Sequence, residues 1–235
     1  MPPEISVLGS LDTLSLFSNG LVGPIPDLSE LSELRVFDVE VNSLSGPAIG
    51  NIGGLEKLES YRVSENRLGG TIDEAIGDIT SLKEIWAAEN QLSGTIPESL
   101  SNLVNLTSLF LYSNNLAGPL PDLSMTSVES LQLQRNFLSG ALPESLYEST
   151  TLSTLRLDRN QLQGNISDSF GSLTNLVDLR LNENTFTGSL PASFINLSNL
   201  GKCLMCCRMA ADSSNISSCF LLRVRVLCFL QPFFG

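Results

Sequence analysis

The stretch "LKEIWAAENQLSGTIPESLSNL" (82–103) has the spacing of a short β-strand followed by a turn. Leu82, Ile85 and Ala87 are apolar, and the last two stand two residues apart, so their side chains share one face of a strand. Trp86 lies between them and is expected to point to the opposite face. It is the chain's one tryptophan. The strand is predicted to end before Asn90, where the chain turns.

The same pattern recurs through the chain at a nearly constant period. Asparagine, an apolar residue two on and glycine four on form eight units, spaced by 23, 24, 24, 24, 22, 24 and 24 residues. Apolar residues keep fixed offsets of three, five and eight before each asparagine. One such unit cannot bury its apolar face alone, whereas stacked units share a continuous core. The asparagines are Asn19, Asn42, Asn66, Asn90, Asn114, Asn136, Asn160 and Asn184.

These asparagines are predicted to be structural. A buried side-chain amide has two donors and two lone pairs, which can satisfy backbone groups of its own turn and of the adjacent coil. The glycines four residues on are predicted to be structural too, where a tight turn needs positive φ or a close backbone approach.

The repeated unit resembles the leucine-rich repeat, and in detail its plant-type subclass, L-x-x-L-x-L-x-x-N-x-L-x-G-x-I-P-x-x-L-x-x-L. The stretch "LTSLFLYSNNLAGPLPDL" (106–123) fits it as well as residues 82–103 do. The resemblance covers residues 1 to about 200. It implies an α/β repeat solenoid, right-handed and curved, of about eight 24-residue repeats. Each repeat would give one strand to a parallel sheet on the concave side and return along the convex side.

Both ends of the chain depart from the repeat. "MPPEI" aligns with "IPESL" (96–100), so the chain begins in mid-repeat, without the family's N-terminal cap and without a signal peptide. We therefore predict a solenoid over residues 1–200 and a non-repeat tail over residues 201–235. Cys203 and Met205 fit the inward positions of a ninth strand, but Arg208 stands where asparagine belongs.

Three interpretations of the tail remain open. It is a non-native extension from an unspliced intron or a frameshift, a divergent cap closed by disulfides, or a membrane segment. The third is disfavoured because its apolar run is short and contains two arginines. The tail holds all five cysteines, and its one Cys-x-x-Cys pair has no second half, which is a weak zinc signal.

Composition excludes several classes of function. The net charge of -12 disfavours nucleic acid and anionic membranes as partners. The chain has no histidine, so neither a Ser-His-Asp nor a Cys-His site can form within it. It also lacks a kinase Gly-rich loop and an H-R-D motif. We expect no catalytic residues, no metal and no cofactor.

Function on this fold is expected at exposed strand positions. Residues four and two before each asparagine should point away from the core, onto the concave face. The first column is Ser15, Asp38, Arg62, Trp86, Phe110, Gln132, Arg156 and Arg180. The second is Phe17, Glu40, Ser64, Ala88, Tyr112, Gln134, Asp158 and Asn182. The predicted ligand-binding residues are Trp86, Phe110, Tyr112, Gln132, Gln134, Arg156 and Arg180.

Two clusters motivate that choice, and each has a plainer alternative. Trp86, Phe110 and Tyr112 should form an aromatic patch typical of binding anchors, although aromatic residues also simply suit strand surfaces. The stacked Arg156 and Arg180 would favour an anion between them, unless Asp158 and Asp178 supply that charge internally. The resemblance implies peptide binding along this face, where paired arginines can hold a peptide C-terminus, but this chain lacks a strict Arg-x-Arg on one strand.

The sequence predicts a binding module for a protein, peptide or glycan on the concave face of a receptor-like extracellular or cell-surface protein. Any membrane attachment would come from a segment of the parent protein. Glycosylation is predicted at the sequons of Asn105, Asn165 and Asn196, and a fourth sequon lies at Asn215. One alternative is a secreted inhibitor of a cell-wall-degrading enzyme. Another is a structural or ice-binding solenoid, which would need a flat stripe of Thr, Ser or Asn at one offset.

Overall fold

The computed structural model describes residues 1–48, 52, 54–122 and 127–205. Two parallel sheets run along the molecule. The concave sheet has the order β1-β3-β5-β7-β9-β11-β13-β15-β17. Its strands are β1 (Thr13–Ser15), β3 (Val36–Asp38), β5 (Ser60–Arg62), β7 (Glu84–Trp86), β9 (Ser108–Phe110), β11 (Ser130–Gln132), β13 (Thr154–Arg156), β15 (Asp178–Arg180) and β17 (Lys202–Leu204). Neighbouring strands pair at equivalent repeat positions, as Trp86 does with Phe110.

A second parallel sheet follows the asparagine turns, in the order β16-β14-β12-β10-β8-β6-β4-β2. Its strands are β2 (Val22–Gly23), β4 (Ser43–Pro47), β6 (Arg67–Gly70), β8 (Gln91–Gly94), β10 (Asn115–Pro119), β12 (Phe137–Gly140), β14 (Gln161–Asn165) and β16 (Thr185–Thr187). Five-residue 3-10 helices complete the repeats at Pro3–Val7, Glu74–Asp78, Glu98–Asn102, Glu144–Glu148, Asp168–Ser172 and Ala192–Asn196. The predicted repeat solenoid is confirmed, with 3-10 turns as its helical part.

One continuous apolar core lies between the two sheets and the 3-10 helices. Ile85 and Ala87 are buried in it, whereas Trp86 between them is half-buried on the opposite face of β7. Tyr61 occupies a leucine position and is fully enclosed, where it stacks on Phe37 with ring centroids 5.5 Å apart. Burial raises its pKa, and its hydroxyl donates to the Ala48 carbonyl, so the polar end is satisfied.

The repeat asparagines join each coil to the one before it. The Asn114 side chain accepts from the Leu92 N–H at 2.9 Å and donates to the Ala87 carbonyl at 2.9 Å, both in the preceding coil. It also donates to the carbonyls of Leu111 and Tyr112 in its own coil. Equivalent bonds form at Asn42, Asn66, Asn90, Asn136, Asn160 and Asn184. The side chain of Asn19, in the first coil, bonds within its own turn and to no other coil of the described chain.

The concave sheet continues past the predicted boundary at residue 200. β17 pairs with β15, and Cys203 and Met205 are buried as a ninth repeat requires. The repeat pattern tolerates this because inward burial needs only apolar side chains at the right offset. The remaining tail, with Arg208, Asn215 and the other four cysteines, lies outside the described residues. No helix within the described ranges is long and apolar enough to cross a membrane.

Candidate ligand-binding surface

The predicted ligand-binding residues all lie on the outward face of the concave sheet, and all are half-buried. The structure brings some of them into contact. Trp86 stacks on Phe110, and Arg156 donates to Gln132 at 3.4 Å. The side-chain carbonyl oxygen of Gln134 is buried and makes no hydrogen bond to another described residue. Tyr112 shows no ring contact with Trp86 or Phe110.

A planar stack runs across three neighbouring strands. The Trp86 and Phe110 rings lie 5.2 Å apart at an interplanar angle of 19°. On the other side of Trp86, the Arg62 guanidinium carbon stands 4.1 Å from the ring centroid. An aromatic pair contributes about 0.5–1.5 kcal/mol beyond burial, and a partly exposed cation–π contact about 0.5–1 kcal/mol. We call Arg62, Trp86 and Phe110 the planar stack.

Arg62 was not among the predicted site residues. It precedes Trp86 in the same column, so the register already placed them side by side. The sequence could not show that its guanidinium lies over the indole ring. That orientation is fixed by Glu84 on the next strand, which accepts from Arg62 Nη2 at 2.5 Å and Nε at 3.1 Å. The hydroxyl of Ser60 donates to the same Glu84 oxygen at 2.9 Å.

Beside the planar stack the surface is acidic. Burial is the main cause that raises the pKa of Glu40, and the Asp38 and Glu65 charges raise it further, against Ser64 and Arg62. Burial also raises the pKa of Tyr112, with Glu89, Glu65 and Glu40 adding to the shift. Ala88 follows Trp86 by two residues and has the same offset in its repeat as Tyr112. It is only 1% exposed although it faces the concave side.

Replacing Glu40 by glutamine is expected to stabilise the fold at neutral pH. The raised pKa means that ionised Glu40 costs more in the folded than in the unfolded chain, so its penalty is present above the folded pKa. The penalty disappears below the unfolded value of about 4.3, where both states are protonated. The free energies of unfolding of wild type and E40Q, measured in urea, should differ at pH 7 and become equal at about pH 3.5. Equal stabilities at pH 7 would contradict the prediction, and the exposed Glu56→Gln is the control.

Toward the C-terminal end of the sheet, Asp178 lies between the two predicted arginines. Its Oδ2 accepts from Arg156 Nη2 at 2.7 Å and Nε at 3.2 Å, and its Oδ1 accepts from Arg180 Nε at 3.2 Å. Asp178 is 6% exposed. Arg156 also uses Nη1 toward Gln132. Internal pairing thus holds Arg156, whereas the two Nη nitrogens of Arg180 make no hydrogen bond to another described residue.

Asp158, the other candidate internal partner, forms no ion pair with either arginine among the described residues. Burial raises its pKa, and the Arg180 and Arg159 charges only partly oppose that shift. Arg159 is instead paired with Glu183 at 3.0 Å. At the arginine end of the surface, one carboxylate, Asp178, is therefore shared by Arg156 and Arg180.

The three predicted glycosylation sites lie away from the concave sheet face, and all are exposed. Asn105 precedes β9 and donates to the Thr80 carbonyl at 3.0 Å. Asn165 ends β14 and accepts from the Thr187 hydroxyl at 3.0 Å. Asn196 ends the last 3-10 helix. Glycans at these positions would leave the planar stack uncovered.

Metal-binding groups are not a feature of the described part of the chain. No cluster of three or more His, Cys, Asp or Glu side chains there could hold a metal ion. The surface instead offers contact area, charge and hydrogen bonds.

The geometry defines a leucine-rich-repeat solenoid with a partly exposed aromatic and charged concave face. The chain belongs to the leucine-rich repeat family, whose "leucine-rich repeat region" matches residues 1–229. No curated protein matches its sequence significantly.

Several solved structures are similar. The LRR ectodomain of the plant membrane receptor kinase GASSHO1/SCHENGEN3 from Arabidopsis thaliana, in complex with CASPARIAN STRIP INTEGRITY FACTOR 2, has TM-score 0.86 and 31% identity over 89% of this chain and 26% of that chain. The plant peptide hormone receptor RGFR1 in complex with RGF2 has TM-score 0.85 and 35% identity over 89% and 34%. A plant ice-binding protein has TM-score 0.63 and 25% identity over 81% and 70%. The chain thus spans about a quarter to a third of the two receptor chains.

Proposed function

We propose that this chain is the ligand-binding part of a receptor-like leucine-rich-repeat protein at the cell surface or outside the cell. It takes a protein, peptide or glycan ligand on its concave face and performs no chemistry. The residues in contact are Trp86, Phe110, Tyr112, Gln132, Gln134, Arg156 and Arg180, with Arg62 added. The observation that carries the proposal is the half-exposed planar stack in the middle of the concave sheet.

Aromatic side chains that remain partly exposed supply large contact area at low entropic cost, which is why they dominate binding hot spots. The alternative is that aromatic residues occur here only because they have a high β-strand propensity. It does not account for the position of Arg62 over the indole ring of Trp86. The two receptor structures named above were both solved with a bound partner, which supports a ligand-binding role for this fold.

Arg180 is the proposed contact for a ligand carboxylate. Its two Nη nitrogens, which have no partner among the described residues, form the bidentate fork that suits a carboxylate, while Asp178 fixes the side chain through Nε. The other end of the face, with Glu40, Glu65 and Glu89, suits positive charge. Such a surface matches a peptide that carries opposite charges at its two ends.

The ice-binding alternative rests on one structural neighbour and finds little support in the surfaces of this chain. The concave columns mix charges, aromatics and amides. The position after each asparagine, which lies on the second sheet in every repeat but the first, is occupied by Gly20, Ser43, Arg67, Gln91, Asn115, Phe137, Gln161 and Thr185. Arg67 and the 51% exposed Phe137 interrupt any flat polar stripe. Inhibition of ice recrystallisation by the purified chain would favour this alternative.

Removing the aromatic anchors tests the proposed function. A displayed library of random peptides with free C-termini is first selected against the full chain. The W86A/F110A double variant is expected to lower the affinity of the selected peptides by about 100-fold, because hot-spot truncations typically cost 2 kcal/mol or more. Titration calorimetry with one synthetic peptide from the selection measures the change.

Two controls make that result interpretable. Circular dichroism should match wild type, since both rings are outside the core, and unfolding should show only the loss of about 1–2.5 kcal/mol that the ring pair and the cation–π contact contribute. The Phe137→Ala variant removes an exposed ring on the second sheet and should bind normally. Unchanged peptide affinity in the double variant would remove the planar stack from the site, and a library that yields no binder would argue against a peptide ligand.

A further inference from the structure

We infer that Arg62, held by Glu84, determines the class of partner at the planar stack: it selects an apolar peptide side chain and excludes a sugar ring. The inference rests on the proposed function and deepens it, since the sequence left protein, peptide and glycan equally open. Arg62 acts as a positioning residue for Trp86.

Both faces of the indole are already covered. Arg62 lies over one face at 4.1 Å, and Phe110 lies over the other at 5.2 Å and 19°. The Arg62 guanidinium cannot rotate away freely, because two of its nitrogens donate to the Glu84 carboxylate. The Ser60 hydroxyl donates to the same carboxylate. Trp86 therefore stands upright between two planar neighbours and offers an edge to the ligand.

The exposed edge is the carbon edge of the indole. Nε1 is buried and makes no hydrogen bond to another described residue, so the polar atom of the ring is not part of the exposed edge. What remains half-exposed is carbon, continued by the edge of Phe110. An apolar ridge of this kind packs against aliphatic or aromatic side chains, and the Arg62 guanidinium at its end can donate to a peptide carbonyl.

A sugar ring is recognised differently. Its C–H groups carry partial positive charge and stack on the electron-rich face of an aromatic ring. Neither face of Trp86 is open to it, and exposing one would require breaking the Arg62–Glu84 pair or the contact with Phe110. The edge carries the positive end of the ring quadrupole, which does not attract C–H groups.

The single tryptophan allows a direct test in the full chain. Emission excited at the red edge of the spectrum comes from Trp86 alone. The probes are one peptide selected from the random library, a soluble cellulose oligomer and a soluble chitin oligomer. The peptide is expected to shift or quench the emission of wild type at saturation, and neither oligosaccharide is expected to change it.

Variants of Arg62 test the positioning role. R62A is expected to shift the emission of the free chain to longer wavelength and to lower the affinity for the peptide about tenfold. R62K should lie between R62A and wild type, because lysine keeps the positive charge but lacks the planar guanidinium. The exposed Arg67→Ala, in the same repeat, should match wild type in both readouts.

The outcomes separate the inference from the proposed function. Oligosaccharide quenching in wild type, together with oligosaccharide binding by titration calorimetry that is lost in W86A, would overturn the inference and leave a concave ligand site standing. Unchanged emission and peptide affinity in R62A would overturn the positioning role alone. If neither the peptide library nor the oligosaccharides bind, the proposed function fails and the inference fails with it.

Discussion

Replacing Asn114 by alanine is expected to lower the free energy of unfolding by about 3–5 kcal/mol. The substitution leaves the Leu92 N–H and the carbonyls of Ala87 and Leu111 without their partner, in a place where Asn114 is only 6% exposed. Each buried backbone group left unsatisfied costs about 1–3 kcal/mol. Since Leu92 and Ala87 belong to the preceding coil, the loss falls on the contact between two coils.

Urea unfolding followed by circular dichroism measures this effect. Because a solenoid is stabilised by nearest-neighbour contacts, weakening one interface should also broaden the transition. Asn19→Ala is the matched control: it removes the same residue type from an exposed first coil, where only its own turn is bonded. Equal losses in the two variants would mean that the bonds between coils contribute little.

Replacing Phe170 by alanine is expected to cost about 3–5 kcal/mol, the range for truncating a fully buried phenylalanine. The ring is completely enclosed on the convex side, in contact with Tyr147 at 5.5 Å and Phe194 at 5.1 Å. Phe170 and Phe194 stand where other repeats have an aliphatic residue such as Leu100, so alanine would leave a cavity shared by three coils. Burial raises the pKa of Tyr147 to about 12, which reflects the same dry environment.

Thermal and urea unfolding of Phe170→Ala measure this expected loss in the free energy of unfolding. Phe137→Ala, on the exposed face of β12, should change stability by less than about 0.5 kcal/mol. If Phe170→Ala behaves like Phe137→Ala, the convex side is not a packed part of the core.

Much of the fold could be predicted because its rules are local and repeated. The offsets of three, five and eight before each asparagine determine which side chains enter the core, and the period aligns one coil with the next. Trp86 could be assigned to the concave face for that reason, since a one-residue slip would have moved Ile85 out of the core. Past residue 200, β17 lies where the offsets of a ninth repeat place it, and Cys203 and Met205 take its inward positions although Arg208 stands in place of the asparagine.

The backbone at the turns was not predictable from local preference. The residue before each repeat asparagine has φ between 53° and 58°, and none of them is glycine. Val41 adopts φ 56° although a β-branched residue strongly disfavours it. Bonds from the neighbouring coil hold this conformation, as the Glu89 N–H does by donating to the Tyr112 carbonyl at 2.9 Å. The need for glycine at position 77 also comes from the neighbouring coil. A Cβ there would stand 2.4 Å from the Ser99 carbonyl oxygen of the next coil.

By itself, the sequence determined the leucine-rich-repeat fold, the inward and outward faces of each strand, and the columns that hold Trp86, Phe110 and the arginines. Only the tertiary structure decided how those side chains are used. It placed Arg62 over Trp86 and shared Asp178 between Arg156 and Arg180, so that the terminal nitrogens of Arg180 make no hydrogen bond to another described residue. The reason is physical: a periodic pattern fixes the direction of a side chain, whereas its rotamer and partners depend on contacts between coils.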